Sequence, residues 1–555
     1  LPRIAPNVIT SEARLYALSQ AESLAAEAVD HLSQTVRNAE TGRVDPIALE
    51  RAQHQAHGTA WLVSHVAGLT ALHDWAQRLE ETNSMGPVEA GILRIGFAEY
   101  LNRIIHGLPM GQTETVRPHE LGTSLHAMGM ATDPTLNALF ADPDLPEIRM
   151  ATALAMSEHG FSNPADDPDG EISMMRTQYQ RFAEAEIAPF CHRWHLDDIL
   201  IPDETVQKVA DLGTFAITIP QAYDGLGLSK QAMVAVTEEL SSFHLPTGSL
   251  ATRPEIAGEL ISNSGTQDQK ERFLPGIASG KIMTTAVFTE PDIGSDLAHL
   301  STRAVRRGAV YQVSGAKTWI THGGRSDLMT LLVRTQAGSQ DHSGVSMLLA
   351  EKPRGTPATP FPAPGMTGGE IRTLGYRGMK EYDIAFDRFD VPAHNLLGGE
   401  EGLGFRQLMA TFESARIQTA ARAVGVARNA LRLAMDYATT RRQFGQSLIR
   451  FPRIADKLAL MAAETEIVRQ LTRHAALAKD TGRRCDVEAG MAKLLAARTA
   501  WAAADDALQI HGGIGYALES QISRVLVDAR ILNIFEGTGE IQAQVIARGL
   551  LSRRN

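Results

Sequence analysis

The hydrophobic period of this chain switches twice along its length, so helices alone or strands alone cannot account for it. Leu15, Leu18, Ala21, Leu24, Ala25, Ala28, Val29 and Leu32 recur every three or four residues, one stripe of a helix. Trp61, Leu62, Val66, Leu69, Leu72 and Trp75 keep that spacing between Ile47 and Leu79. Ile92, Ile95, Tyr100, Ile104 and Ile105 keep it after Pro87. Later the register changes. YQVSG, TWIT, LMTLLVR, VSMLLAE and YDIAFDRF are short, rich in β-formers and separated by Gly or polar turns, which predicts strands. From Gly402 helical runs resume to the end. The chain therefore reads as mainly α with a central β-domain.

The run NPADDPDG at 163–170 is the best domain boundary. The expected layout is an N-terminal helical extension over 1–162, an α-domain over 171–285, a middle β-domain over 286–400 and a C-terminal helical bundle over 401–555. The Pro/Gly-rich stretch KPRGTPATPFPAPGMTGG at 352–369 is expected to be a surface loop. At 555 residues several domains are accommodated. The net charge of -11 argues against a nucleic-acid partner, which selects a basic face. The two cysteines, Cys191 and Cys485, belong to no CxxC or Cys/His cluster, so no metal site is expected and a reducing cytoplasm fits. No run of 18 apolar residues predicts a membrane span.

Several segments carry candidate chemistry, each with an ordinary alternative. TEPDIGSD (Thr289 to Asp296) offers hydroxyls and loop amides to a polar ring edge or a phosphate, though taken alone it reads first as a plain turn. In WITHGG, Trp319 can stack on a planar group or pack in a core. In YATTRRQFG, the Arg441 and Arg442 guanidinium forks match pyrophosphate oxygens, but solvated surface arginines look the same. QIHGGIGY has glycines at 512, 513 and 515 with no strand before them, so a dinucleotide-binding turn of the βαβ kind is excluded. IFEGTGEIQ sets Glu536 in a Gly-containing break beside Ile534 and Phe535. Apolar neighbours would desolvate and raise such a carboxyl; a capping or surface acid is the alternative.

Read together and in order, TEPDIGSD, WITHGG, YATTRRQFG, QIHGGIGY and IFEGTGEIQ resemble the acyl-CoA dehydrogenase family. EIAPF, TIPQAYDGLGLS and VPAHNLLGGEEGLGF extend the resemblance over about 172–555. It implies an α-helical domain, a β-barrel-like domain and a four-helix bundle, FAD as cofactor, an acyl-CoA substrate and a homodimer or homotetramer. Electrons would pass to an electron-transfer flavoprotein; an oxidase and a non-catalytic acyl-CoA-binding scaffold are the alternatives. It implies that Phe288, Thr289, Trp319 and Thr321 line the flavin ring, with Ser295 at flavin or CoA. Arg441, Phe444, Gln509 and Gly513 would reach a neighbouring subunit's FAD, and Thr538 and Glu540 its other side. Glu413 and Arg416 would border the acyl-CoA channel. Glu536 falls on the catalytic base, with Gly537 beside the substrate; the family's alternative base position falls on Ala415. The base's backbone amide would donate to the thioester oxygen. The family's Arg-Asp pair before the catalytic loop reads Val527-Asp528, so a local ion pair is expected to be missing. HGTAWLVSHV, FAEYL and GLPMGQTE in the extension are similar to a branch of the family that acts on a branched dicarboxylic acyl-CoA. Arg253, interrupting a mostly apolar helical region, is the candidate partner for its distal carboxylate; a snorkelling surface arginine is the rival. The extension's amphipathic helices leave open a subunit-contact role or a narrowing of the pocket.

Overall fold

The computed structural model describes residues 9–161, 170–339 and 341–553. The boundary run at 163–170 lies outside them except for Gly170. The chain divides into two compact units, one running to Met174 and resuming at Thr419, the other spanning Met175–Gln418. Among the described residues no helix is long and apolar enough to cross a membrane.

In the first unit the extension forms helices Ser11–Val36, Pro46–Arg51, Gln53–Glu81, Pro87–His106 and Leu145–His159. Their starts follow local chemistry. The Thr10 hydroxyl accepts from the Ala13 amide at 3.2 Å, and Asp45 accepts from Ile47 at 2.8 Å just ahead of Pro46. Helices Pro452–Asp480, Asp486–His511, Gln521–Ile531 and Gly539–Ser552 follow at the C-terminal end. The extension packs directly on them: a Cβ on Gly68 would lie 2.9 Å from Ile467, and one on Gly96 3.2 Å from it, so these helices meet at glycines. Leu32, Val36, Leu49, Ala547 and Leu551 share one apolar cluster.

A charged cluster lies in the same contact. Arg103 pairs with Glu464, the Tyr100 hydroxyl donates to Glu464 Oε2 at 3.1 Å, and Arg498 lies 5.9 Å from the Trp61 ring centroid. Burial works to raise the Glu464 carboxyl, but Arg103 and Arg498 outweigh it and hold it at about 2. Burial, then the same two arginines, push His65 down to about 3, leaving it neutral.

One position on the first stripe is misread from sequence. Leu15 is 52% exposed, and Arg14 is buried in its stead, donating to Glu80 at 2.8 Å and to the Ile9 carbonyl at 2.6 Å. The missing ion pair is also corrected. Asp528 is buried with Arg524, one turn earlier, 3.7 Å away.

The second unit holds helices such as Lys230–Ser241, Thr252–Ser264 and Gln267–Ala278, and a seven-stranded sheet. The strand order is Thr284–Val287, Leu328–Arg334, Arg303–Arg307, Val310–Lys317, Glu381–Pro392, Met366–Ile371, with Val345–Glu351 also pairing Leu328–Arg334. Thr284–Val287 runs parallel to Leu328–Arg334; most other pairs are antiparallel. LMTLLVR is apolar almost throughout because both its faces are covered. Leu328 and Leu332 pack with Ile256, Leu260 and Phe273, while Met329, Leu331 and Val333 pack with Val313, Phe386 and Phe389.

Two expectations fail here. TWIT is not a strand: Trp319 and His322 have φ of 57° and 66°, and the chain turns there. The stretch 352–369 is not all loop, since Met366–Ile371 pairs with Glu381–Phe386 and buried Phe361 anchors the preceding turn edge-on to Tyr382, centroids 5.5 Å apart.

Candidate active site

Between Ile531 and Gly539 the chain breaks from one helix and starts the next, with Thr538 capping the second through the Ile541 amide at 3.4 Å. Within this break Glu536 has φ 54° and Gly537 φ 89°. The left-handed region suits glycine but costs a residue with a Cβ about 1 kcal/mol. Strain of this kind survives where the surroundings enforce it, commonly at functional sites.

The Glu536 carboxylate is gripped from the helix Gly404–Thr440. Its Oε2 accepts from Arg422 at 2.7 Å and from the Thr419 hydroxyl, which itself accepts from Arg422 at 2.7 Å. The Arg422 side chain is fully buried and that of Glu536 is 15% exposed. The guanidinium lies 4.7 Å from the Phe535 ring centroid. Of the two expected apolar neighbours Ile534 is exposed and Phe535 half-buried, and a cation and a hydroxyl face the carboxylate.

Elsewhere in this unit, Arg441 and Phe444 are exposed around the hairpin Arg442–Gln443 and Gln446–Ser447, Phe444 with φ 48° and 93% exposure. Gln509 and Gly513 are exposed at the end of helix Asp486–His511 and in the following turn. Thr538 is half-buried, and the carboxyl of Glu540, in the first turn of the last helix, is held below its ordinary range by its own backbone amide and by the Thr538 side chain.

The second unit brings its own residues together. The Thr318 amide donates to the Thr289 carbonyl at 3.0 Å, joining the TEPDIGSD and WITHGG segments. Lys317 Nζ donates to the Phe288 carbonyl at 2.8 Å and to Glu290 at 3.0 Å. Burial raises Glu290, but Lys317 and the Ser301 and Thr302 donors bring it down to about 2. Trp319 stands 55% exposed beside this braced loop, and Ser295 is exposed on it. Phe288 departs from expectation. Its side chain is buried with Leu297, Leu328 and Ala415, so it does not offer an open ring face. Thr321 is buried as well, its hydroxyl donating to Glu381 at 2.8 Å and accepting from Arg253 at 2.7 Å. Arg253 is therefore not a snorkelling surface residue. Glu413 is buried, and Arg416 is half-buried with its guanidinium 5.8 Å from the Phe412 ring centroid.

Sequence reading did not single out Arg422, Thr419 or Glu381. A signal existed for Arg422: it interrupts TAARAVGVA, an alanine-rich stretch whose helical neighbours are all core positions. Taken unit by unit, the exposed Trp319 of the second unit offers a stacking face of the kind a flat ring such as a flavin takes, and the exposed Arg441 of the first offers a guanidinium fork of the kind a pyrophosphate takes.

Family models for the acyl-CoA dehydrogenase N-terminal, middle and C-terminal domains match residues 169–281, 285–389 and 402–551. The chain belongs to the acyl-CoA dehydrogenase family and is an FAD-dependent enzyme. It is 55% identical to (2S)-methylsuccinyl-CoA dehydrogenase of Cereibacter sphaeroides over 96% of this chain and 97% of that protein. That match takes in the extension, which the family models leave out. Butyryl-CoA dehydrogenase from Megasphaera elsdenii superposes with a TM-score of 0.65 at 30% identity, covering 68% of this chain and 98% of that one. The glutaryl-coenzyme A dehydrogenase–glutaryl-CoA complex superposes with a TM-score of 0.65 at 28% identity, covering 69% and 95%.

Proposed function

We propose that this enzyme oxidises (2S)-methylsuccinyl-CoA to mesaconyl-CoA, a step of the ethylmalonyl-CoA pathway, with Glu536 as the base. The observation that carries the base assignment is the carboxylate on a left-handed turn, gripped by the buried Arg422 and by Thr419. The extent of the match to the Cereibacter sphaeroides enzyme, extension included, carries the substrate.

The α-proton of a thioester is a weak acid, so two things are required of the chain. The Glu536 carboxylate must be held and aimed, and the Arg422 ion pair and the Thr419 hydroxyl support that role. Negative charge developing on the thioester oxygen must be met by donors; the Glu536 backbone amide is the candidate, and one such donor is worth roughly 3 kcal/mol. Glu536 takes the proton from the α-carbon, and the α,β double bond forms as the β-hydrogen leaves with its electron pair. FAD, when bound, supplies the acceptor for that hydride. The methylsuccinyl group carries a second carboxylate, which must be paired where water is excluded. Arg253, buried and hydrogen-bonded to Thr321, is our candidate for that partner. A cytoplasmic homodimer or homotetramer passing electrons to an electron-transfer flavoprotein completes the reading; Cys191 and Cys485, both buried thiols, accord with a reducing compartment.

Glu536→Gln keeps an acceptor for Arg422 and Thr419 but removes the base. It should retain FAD and lose at least about 100-fold in the rate of flavin bleaching by methylsuccinyl-CoA. Near-parental bleaching refutes the assignment.

A further inference from the structure

The turn that carries Glu536 is also held from behind, by two polar side chains that no motif marks. Lys493, in the helix Asp486–His511, and Gln542, in the last helix, are both fully buried. Lys493 Nζ donates to the Gly537 carbonyl at 2.5 Å. Gln542 Nε2 donates to the Glu536 carbonyl and to the Gly537 carbonyl, each at 3.2 Å. Three donated bonds from two separate helices therefore converge on the two carbonyls of the two consecutive left-handed residues. The approach is close enough that a Cβ on Gly537 would lie 2.4 Å from Gln542 Nε2.

The consequence follows from peptide geometry. In a trans peptide the C=O and N–H point in opposite directions. Drawing the carbonyls of 536 and 537 inward turns the amides of Gly537 and Thr538 outward. Successive outward amides make a concavity suited to negative charge. A charge-assisted bond to a carbonyl also polarises the peptide that carries it. An ammonium is costly to bury, and here part of its bonding goes to the backbone next to the proposed base.

We infer that Lys493 and Gln542 are positioning residues for the dehydrogenation. They lock the backbone of residues 536–537, so that the Glu536 carboxylate keeps the orientation that proton removal uses. The inference rests on Glu536 being the base.

The test uses the flavin-loaded, full-length enzyme and methylsuccinyl-CoA, unlabelled and deuterated at the α-carbon. Lys493→Met and Gln542→Met should keep their flavin. Their kcat should fall at least tenfold while KM moves less than threefold. The α-deuterium isotope effect on anaerobic flavin bleaching should rise, because proton removal becomes the slower step. Lys493→Arg, which retains a cation, should recover part of the loss. A purely structural role would lower the folded, flavin-loaded fraction and leave the isotope effect of the remainder unchanged. Should Lys493→Met fail to fold, Gln542→Met, which leaves the charge in place, decides by the same two readouts. The clamp is wrong if the folded variant runs within twofold of the parent with the parental isotope effect while Glu536→Gln is inactive. If Glu536→Gln turns over normally, the base assignment fails and the clamp with it.

Discussion

Glu464→Gln tests whether charge, rather than apolar area alone, ties the extension to the C-terminal helices. The Glu464 side chain is 17% exposed and faces Arg103 and Tyr100 from the extension and Arg498 from its own side of the contact. Its carboxyl is held at about 2 against an ordinary 4.5, with burial opposing and the two arginines prevailing. At 1.36 kcal/mol per pH unit this corresponds to about 3 kcal/mol of stability. The folded value lies below the unfolded one, so this stability is complete above pH 4.5 and is lost as pH falls through 2. Glutamine is nearly isosteric but leaves Arg103 and Arg498 facing a neutral amide. Breaking a buried pair from one side costs about 3–5 kcal/mol. The variant should therefore be about 3 kcal/mol less stable at pH 7, a fall in thermal midpoint of roughly 6–12 °C at about 2–4 °C per kcal/mol. Thermal unfolding of parent and variant at equal flavin content, repeated from pH 7 to pH 3, should show a gap that narrows on acidification. A difference below about 1 kcal/mol at pH 7, or a gap independent of pH, would refute the electrostatic account.

Two further outcomes can be measured directly. Arg253→Ala should lower kcat/KM for methylsuccinyl-CoA at least tenfold more than for butyryl-CoA, since only the former carries a distal carboxylate to pair; equal losses on both would remove its assignment. Phe361→Ala should destabilise by about 3 kcal/mol, because a buried ring packed edge-on to Tyr382 is deleted; a change within about 0.5 kcal/mol on chemical denaturation would return 352–369 to an unanchored loop.

The residues differ in how far local pattern reached. The helices Ser11–Val36, Gln53–Glu81 and Pro87–His106 were readable because their apolar residues recur at helical spacing, with Thr10 capping the first and Pro87 opening the third. Leu15 misled because its neighbour Arg14 is buried through Glu80, 66 residues away. TWIT has strand composition, but no local rule foresaw Trp319 in left-handed backbone. Met366–Ile371 has loop composition and is a strand because Glu381–Phe386 supplies its ladder.

From sequence alone the class of fold and the family follow, because hydrophobic period, turn residues and ordered motifs are local and are written into consecutive positions. The sequence also marks Glu536 as the carboxylate in a Gly-containing break. What surrounds that carboxylate was decided by tertiary structure. Arg422 lies 114 residues away and Lys493 lies 44 residues from the Gly537 carbonyl it binds. Thr321 sits between Arg253 and Glu381 across separations of 68 and 60 residues. Ion pairs and hydrogen bonds act over a few ångströms in space and are indifferent to sequence distance, so only folding brings these partners together.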